Sequence, residues 1–391
     1  MKKVLVLGAG RGQVGLIRAA HNLGHEAIVV SIPGDYPGFA MADKIVYADL
    51  RDPAAVSKVA KEEGVDGAVV AGADLALPAL GAVCEDNGLR GPDRKTADAS
   101  SDKSFMKAAF VKHGVRTARH IDIASPEEAR AALDHLNMPV IVKAIDLGGS
   151  RGINIVFNED DIEDAFRSTM SVTHADHCIV EEYIDGYEVS ATAMVADGEI
   201  LFVLPMGDVR FGENAEIPIG HYVPLECDED VISDIDRQVR AAIEAIGLDD
   251  CAVNADLMIM DGKAYMLELT GRLGANAIPE ITSAYYEKDV HEFIVQAALG
   301  EYEELKKIDF SKHTDKIVFG QMMLSETGGT LESTEIEDDN CDAWFFKKQG
   351  DVISPFKSPH DCVGQVVVVD DTMEECEQHV DRILKQLRIA P

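Results

Sequence analysis

The sequence predicts a protein of mixed α/β and α+β class, in which a parallel sheet near the N-terminus precedes antiparallel sheets. Two features of the 391 residues support this prediction. Up to about residue 94, short β-branched runs alternate with helical stretches, which is typical of parallel βα units. Further along, apolar runs meet at Asp197-Gly198 and at Asp261-Gly262, and an Asp-Gly pair between two such runs indicates an antiparallel hairpin.

The alternating N-terminal part predicts a small open sheet. The predicted strands are 3–8, 26–32, 44–48 and 67–72, and one helix is predicted over 53–63. Since each strand is followed by a crossover long enough to return to the same edge, the strands are expected to run parallel. These elements form a first, Rossmann-like domain, residues 1–94.

The central part mixes helices with antiparallel strands. Helices are predicted over 102–113 and over 125–136, the second because Ser125-Pro-Glu-Glu is a capping-box start. Further strands are predicted at 139–145 and 153–157 around a glycine-rich loop, and at 188–196, 199–204, 255–260 and 264–269 in the two hairpins. Residues 95–300 are expected to form a core that contains a small α+β lid subdomain at about 115–183.

The last part of the chain, 301–391, is expected to form a C-terminal α+β subdomain. It contains two predicted strands, 317–324 and 364–369, and a closing helix, 373–387. The strands of this subdomain are therefore also expected to be antiparallel.

The net charge and the cysteine content argue against several classes of function. With 36 basic and 70 acidic residues the net charge is −34, which argues against binding to nucleic acid or to an anionic membrane. No apolar run approaches the roughly 18 to 20 residues of a spanning helix, and the N-terminus leads into a strand, so a cytoplasmic location is expected. The seven cysteines include no Cys-x-x-Cys pair, so neither a disulfide framework nor a zinc knuckle is indicated.

Two carboxylates lie in the second hairpin. Asp256 and Glu268 are separated by strand, Asp-Gly turn and returning strand, so their side chains can converge on one point. Two such oxygen ligands suit Mg²⁺ held between the protein and nucleotide phosphates. The alternative is an exposed pair of strand carboxylates.

A lysine and a glycine loop stand upstream of this hairpin. Lys143 ends an apolar strand, and Gly148-Gly149-Ser150-Arg151-Gly152 follows. Backbone N–H groups of such a loop can wrap a phosphate while the lysine supplies a positive charge. The alternative is a lysine at a strand end beside an ordinary turn. The chain has no Gly-x-x-x-x-Gly-Lys-Ser/Thr motif, so this phosphate site is not of the Walker type.

An acidic connector lies between the loop and the hairpin. An apolar strand breaks at Asp185-Gly186 within the run Ile179 to Ser190. The extended backbone there could bind an adenine edge, and Glu188 could accept hydrogen bonds from ribose hydroxyls. Taken by itself, the segment is an acidic loop.

Taken in order, these segments resemble the ATP-grasp superfamily of carboxylate–amine ligases over residues 1–300. The strand and loop at Lys143 are similar to those of carbamoyl-phosphate synthase and biotin carboxylase, and Ser101-Asp-Lys103 resembles the family's linker lysine motif. The resemblance implies an ATP-grasp fold with ATP and Mg²⁺ as cofactors, Mn²⁺ being a substitute. It also implies a nucleotide site of Lys103, Lys143, Gly148, Gly149, Ser150, Gly152, Glu181, Glu182, Tyr183, Ile184 and Glu188, with Asp256 and Glu268 as metal ligands.

The sequence departs from the family where many members read Glu-x-Asn-x-Arg. Here the run is Glu268-Leu-Thr270-Gly-Arg272, so a hydroxyl replaces an amide as third metal ligand. Arg272 is retained, and its guanidinium could stabilise the charge on a moving phosphoryl group. The following Leu-Gly274-Ala-Asn276 departs from the purine-biosynthetic and carboxylase members of the family and looks closer to the L-amino-acid ligases.

A Gly-His pair, Gly220-His221, resembles a segment near the amino-acid substrate of those ligases. His221 is a candidate for binding a substrate carboxylate or for proton transfer, and the alternative is a structural loop histidine. Arg210 and Glu213 are weaker substrate-side candidates. The pair His174 and His177 is interpreted as part of a surface loop rather than a metal site.

The N-terminal stretch GAGRGQVG satisfies the glycine pattern of dinucleotide-binding enzymes between Gly10 and Gly15. However, the second strand ends at Val30-Ser31-Ile32-Pro33 without an acidic residue for ribose hydroxyls. The glycines are therefore interpreted as a tight turn that lets the next helix pack closely on the sheet. The exposed N–H groups of the turn are expected to hold a substrate carboxylate.

The resulting prediction is an ATP-dependent ligase that joins a small carboxylate to an amine through an acyl phosphate, acting on amino acids. Arg272, Lys143 and His221 are the predicted catalytic residues, small molecules are the partners, and a homodimer is compatible with the resemblance. The alternatives are a biotin carboxylase or carbamoyl-phosphate synthase type that activates bicarbonate, an NAD-binding oxidoreductase and a nucleotide-binding sensor without catalysis.

Overall fold

A computed structural model describes residues 1–149, 151–211, 218–338, 340–358 and 361–390. In its N-terminal part, four strands form a parallel sheet, and the helices that follow them lie on its two faces. The strands are β1 (Lys3–Leu7), β2 (Glu26–Ser31), β3 (Lys44–Tyr47) and β4 (Gly67–Val69), in the order β3-β2-β1-β4. The helices are α1 (Arg11–Asn22), α2 (Pro53–Glu63) and α3 (Leu77–Asn87).

Local signals in the sequence set the ends of α2. The Asp52 side chain accepts a hydrogen bond from the N–H of Ala55, and Pro53 occupies the first helical position. Gly64 ends the helix with φ +61°, a left-handed conformation that favours glycine. The helix predicted over 53–63 is confirmed.

Two helices, α4 (Arg94–Ala99) and α5 (Lys103–His113), connect this sheet to the lid. The lid consists of β5 (His120–Ile123), α6 (Pro126–Ala132), β6 (Val140–Ala144), β7 (Ile153–Val156), α7 (Ile162–Met170) and β8 (Cys178–Glu182), with strand order β5-β8-β6-β7. Ser125 caps α6 as predicted, but the helix ends at Ala132 rather than near residue 136. The N–H groups of Asp134 and His135 bond to carbonyls three residues back, which replaces the helix by turns.

The strands after the lid are β9 (Tyr187–Ala196), β10 (Glu199–Arg210), β11 (Pro218–Val223), β12 (Cys251–Met260), β13 (Lys263–Thr270), β14 (Ile317–Met323), β15 (Gly329–Ser333), β16 (Cys341–Phe345), β17 (Val352–Ile353), β18 (Gly364–Asp370) and β19 (Arg388–Ala390). Within the described ranges, eight of them form one antiparallel sheet in the order β13-β12-β9-β10-β11-β14-β18-β16. Both predicted hairpins are confirmed, and Asp197 and Asp261 have φ near +50°, as tight Asp-Gly turns require.

The remaining helices are α8 (Glu229–Ile246), α9 (Ile278–Tyr286), α10 (Val290–Ala298), α11 (Tyr302–Leu305) and α12 (Met373–Leu384). Because β14, β16 and β18 belong to the large sheet, the end of the chain is hydrogen-bonded to the centre of the molecule. The predicted domain boundaries stay predictions.

The two faces of the large sheet pack against different partners. Val189 and Ala191 of β9 lie in the core shared with α8, whereas Met194 and Met206 lie in the core shared with α1, α9 and α10. Side chains alternate between the two faces, so even-numbered residues of β9 and β12 face the N-terminal domain. No helix in the described part combines the length and apolar character needed to cross a membrane.

The N-terminal glycine stretch forms the tight turn predicted for it, with Gly8 at φ +101°. Helix α1 packs on the sheet as expected, and Gly15 also makes room for α10, since a Cβ there would lie 2.2 Å from Nε2 of His291. Helix α1 begins at Arg11, inside the glycine pattern.

Candidate functional site

The two predicted metal-binding carboxylates lie directly opposite each other. Asp256 on β12 and Glu268 on β13 are cross-strand partners, and both face the N-terminal domain. Desolvation raises the pKa of Asp256 well above its ordinary value, and the nearby carboxylates of Glu268, Glu188 and Asp208 raise it further. A cation bound among these carboxylates would offset their repulsion.

An amide oxygen that sequence reasoning missed lies beside this pair. Asn254 is the cross-strand partner of Thr270, and its Nδ2 lies 3.5 Å from Oδ1 of Asp256. Its Oδ1 is buried and has no hydrogen-bond partner among the described residues. The Thr270 hydroxyl is 3.5 Å from the Asn254 carbonyl oxygen. The spacing of Asn254 and Asp256 could have revealed this residue, because side chains two positions apart lie on one face of a strand.

These residues fit a hard divalent cation. Two carboxylates, an unpaired amide oxygen and a hydroxyl are all oxygen donors, the type that Mg²⁺ and Mn²⁺ prefer. An unpaired buried carbonyl oxygen costs about 1–3 kcal/mol, which a bound cation would offset. Asp256 and Glu268, with Asn254 or Thr270, are therefore the residues able to hold such an ion.

Lys103 reaches this pair from the start of α5. Its Nζ lies 3.1 Å from Oε1 of Glu268 and donates to the carbonyl of Leu147 at 2.9 Å. Asp102 fixes the helix start by accepting from the N–H groups of Ser104 and Phe105. The predicted linker lysine thus connects the metal pair with the glycine loop.

Lys143 takes part in a buried group of charges. Its Nζ is 3.2 Å from Oε2 of Glu181, and the same oxygen lies 3.2 Å from Nζ of Lys107. Burial alone would raise the pKa of Glu181, but the two ammonium groups lower it to about 2. Burial is the main cause that lowers the pKa of Lys107 to about 8.

Sequence reasoning missed Lys107, although its spacing from Lys103 was visible. Residues four apart lie on one face of a helix, so both lysines of α5 point to the same side. Lys107 also donates to Oγ1 of Thr117 at 2.6 Å, and Thr117 donates to the carbonyl of Met266 at 2.7 Å. Glu181 retains one buried oxygen, Oε1, without a partner among the described residues, so it could accept from a bound donor.

Glu182, Tyr183 and Ile184, the other residues predicted to bind adenine, have different surroundings. The Glu182 carboxylate pairs with Arg119 at 3.1 Å and accepts from Asn137, so this side chain is engaged within the lid. The N–H of Tyr183 is used in a hydrogen bond to Pro139. Ile184 is buried.

Glu188 lies on the same sheet face as the metal pair. It pairs with Arg210, whose Nη2 is 2.6 Å from Oε2 of Glu188. The side chain remains partly exposed, so its carboxylate could still reach a ribose. Arg210, a weaker substrate-side candidate, is therefore engaged with a predicted nucleotide residue.

The glycine loop contacts the N-terminal domain. Gly149 and Gly152 have φ near +68°, which favours glycine, and a Cβ at Gly148 would lie 2.9 Å from Oδ2 of Asp74. Arg151 donates to the Gly148 carbonyl across the loop. Ser150, also predicted to bind the nucleotide, lies outside the described residues.

Asp74 is another residue that the sequence did not single out. Its Oδ1 is 2.6 Å from Nε of Arg272. Burial disfavours the charge of Arg272, but Asp74, Asp256 and Glu268 outweigh it and raise the pKa of the guanidinium. The predicted catalytic arginine is thus held between the N-terminal domain and the metal pair.

His221 lies within strand β11 rather than in a loop. Its Nδ1 is 2.9 Å from Oδ1 of Asp208, and the ring is buried. Glu213 lies outside the described residues. Of the surface pair, His177 interacts with Asp176 and with the Ser104 hydroxyl.

Comparisons with known proteins identify a family for this chain. Residues 101–343 match the family described as phosphoribosylglycinamide synthetase, ATP-grasp (A) domain. The crystal structure of phosphoribosylglycinamide synthetase from Anaerococcus prevotii superposes with a TM-score of 0.85 at 37% identity, covering 100% of this chain and 99% of that one. An L-amino acid ligase structure from Bacillus licheniformis has a TM-score of 0.79 at 18% identity, over 100% and 98% of the two chains, which shows the fold alone.

A curated relative is alanine–anticapsin ligase of Bacillus subtilis (strain 168). It is 28% identical over 258 residues, which cover 59% of this chain and 53% of the relative. The chain thus spans about half the length of this relative.

Proposed function

The chain belongs to the phosphoribosylglycinamide synthetase family of ATP-grasp carboxylate–amine ligases, and on this basis we propose that it activates a small carboxylate as an acyl phosphate at the expense of ATP and couples it to an amine. The observation that supports this proposal is the convergence of cations on one pair of carboxylates. Lys103 and Arg272 both face Glu268, which lies opposite Asp256.

The metal pair would bind Mg²⁺, or Mn²⁺ in its place. Asp256, Glu268 and Asn254 or Thr270 would hold the ion, which would supply Lewis acidity for phosphoryl transfer. Arg272 is influenced by the charges of both carboxylates, and its guanidinium would stabilise charge on a moving phosphoryl group.

The nucleotide would lie between the lid and the large sheet. Lys143 and Lys103 provide positive charge beside the glycine loop, which suits a polyphosphate. The unpaired Oε1 of Glu181 is an acceptor that fits the exocyclic amine of adenine. Loop residues such as Gly149 and Gly152 permit the backbone changes that an opening and closing lid needs.

Exclusion of water is the second task of this site. An acyl phosphate hydrolyses if water reaches it before the amine does. The contact between Gly148 and Asp74 places the loop against the N-terminal domain, where it can cover the reacting groups.

Amino acids are the substrate class that we favour. The name of one relative, alanine–anticapsin ligase, contains an amino acid, and an L-amino acid ligase shares the fold. The N–H groups at the GAGRGQVG turn remain our candidate for binding a substrate carboxylate. A cytoplasmic location and a homodimer stay predictions.

An ADP-release screen tests the proposed function. The purified protein is incubated with ATP, Mg²⁺ and pairs of amino acids or other small carboxylates and amines, and products are identified by mass. We expect ADP and phosphate to appear only when both a carboxylate and an amine are present. Lys143→Ala should abolish the release, whereas Lys58→Ala, an exposed lysine of α2, should not.

Other outcomes would favour the alternatives. ADP release that depends on bicarbonate would favour a carboxylase or carbamoyl-phosphate synthase type. A change in nicotinamide absorbance would favour an oxidoreductase, and ATP binding without turnover would favour a sensor.

A further inference from the structure

A row of polar side chains leads from the metal pair to His221 across the large sheet. Asp256 is the cross-strand partner of Ser190, and Asp208 is the cross-strand partner of His221. The Ser190 hydroxyl donates to Oδ1 of Asp208 at 2.9 Å, which joins the two pairs. His221 therefore lies on the same sheet face as the metal pair, three strands away from Asp256.

The hydrogen bonds of Asp208 determine which nitrogen of His221 carries a proton. A carboxylate only accepts, so Nδ1, 2.9 Å from Oδ1 of Asp208, must donate. In neutral imidazole the other nitrogen, Nε2, then has a free lone pair. Nε2 has no hydrogen-bond partner among the described residues.

The surroundings of the pair keep it ordered. The Asp208 side chain is 2% exposed and that of His221 is 5% exposed, so water competes little for their hydrogen bond. Nη2 of Arg210 lies 3.8 Å from Oδ2 of Asp208, and Glu188 pairs with the same guanidinium. On the other side, His221 lies opposite Gly320, so the facing position of β14 has no side chain.

We propose that Asp208 is a positioning residue that holds His221 as the base for the attacking amine. The inference rests on the proposed function and specifies a proton path for it. The substrate ammonium gives one proton to Nε2, and Asp208 stabilises the imidazolium that forms.

Two protons leave the substrate nitrogen in this step. The freed nitrogen lone pair attacks the acyl carbon, the C–N bond forms, and the bond from that carbon to the phosphate oxygen breaks. The phosphate leaves with that electron pair and takes up the second proton of the nitrogen. The imidazolium then returns its proton to water.

Hydroxylamine separates this role from a merely structural one. It is uncharged at neutral pH and attacks acyl phosphates without a base, which yields a hydroxamate that can be measured. The variants are Asp208→Asn and His221→Gln, and the control is Asp370→Asn, which changes an Asp–His pair with a 2.7 Å contact at His379 in the C-terminal part. Each protein is assayed for coupling to the amine found in the ADP-release screen and for hydroxamate formation.

We expect both site variants to lose amide formation by about 10²-fold or more while hydroxamate formation changes by only a few-fold. The control should keep both rates. An equal loss of amide and hydroxamate in both site variants would overturn the inference. If the unmodified protein forms neither product, the proposed function fails and this inference with it.

A spectroscopic measurement tests the pair without using activity. Long-range ¹H–¹⁵N correlation spectra of ¹⁵N-histidine-labelled protein distinguish the two neutral tautomers, and His221→Gln assigns the signal. We expect the Nδ1–H tautomer in the unmodified protein and a shift away from it in Asp208→Asn. An Nε2–H tautomer in the unmodified protein would overturn the inference even if ligase activity is present.

Discussion

Asp74 and Arg272 are 198 residues apart in sequence, and their side chains meet at 2.6 Å. The contact joins a short helical turn of the N-terminal domain to a residue two positions after the end of β13. Next to it, the Ala71 backbone pairs with Leu273. The N-terminal domain therefore determines the position of the predicted catalytic arginine, although it contributes no predicted metal ligand.

Removal of Asp74 is expected to weaken metal binding. In Asp74→Ala, Arg272 has Asp256 and Glu268 as its remaining acidic neighbours and would compete with the cation for them. The Mg²⁺ concentration at half-maximal ADP release should rise about tenfold. Asp49→Ala, which removes an exposed partner of Arg51, is the control and should leave the Mg²⁺ requirement unchanged. An unchanged requirement in Asp74→Ala would contradict the role assigned to this contact.

The change Asn254→Ala is expected to weaken metal binding without lowering stability. Asn254→Ala removes a candidate ligand, so the Mg²⁺ requirement should rise at least about tenfold. The same change removes a buried oxygen without a partner, a group that costs about 1–3 kcal/mol, so urea unfolding without Mg²⁺ should show no loss of stability. In the control Asn87→Ala, which removes a hydrogen bond within α3, stability should fall and the Mg²⁺ requirement should stay constant. Tighter Mg²⁺ binding by Asn254→Ala would exclude Asn254 as a ligand.

Lys107 and Glu181 are expected to be strongly coupled. Lys107→Met leaves a fully buried carboxylate with one ammonium instead of two, and removing one partner of a buried ion pair costs about 3–5 kcal/mol. The double variant Lys107→Met, Glu181→Gln should lose clearly less than the sum of the single changes. Free energies of unfolding in urea measure this cycle. Lys112→Met, an exposed position of the same helix, should stay within about 0.5 kcal/mol of the unmodified protein, and additive losses would disprove the coupling.

The lowered pKa of Glu181 also predicts how the stability of the protein changes in acid. Its pKa in the folded protein is lowered to about 2 from an ordinary value of 4.5. A lowered carboxyl pKa stabilises the fold above pH 4.5, and the contribution is lost as the pH falls towards 2. The difference in unfolding free energy between the unmodified protein and Glu181→Gln should therefore be constant between pH 4.5 and neutral pH, where Lys107 keeps its charge, and shrink below pH 4.5. A difference that grows in acid would show that the carboxyl is protonated in the fold.

Much of the secondary structure was predictable because its signals are local. An Asp-Gly turn places Asp256 opposite Glu268 through a few residues of antiparallel strand, and Asp52 with Pro53 starts α2 at the expected position. The order of the lysine, glycine-loop and carboxylate segments was enough to indicate the family, which the comparisons confirm. Helix ends were less certain, since α6 closes in turns before residue 136.

The sequence alone thus determined which segments form the site, because turn residues and the two-residue repeat of a strand act over short distances. The tertiary structure decided which side chains pair within it. Glu181 meets Lys107, Asp74 meets Arg272, and Asp208 meets His221. The partners in the first two pairs lie far apart in the chain, and the third depends on the register of two strands. Packing of separate elements therefore sets these charges against each other, and no local pattern encodes that packing.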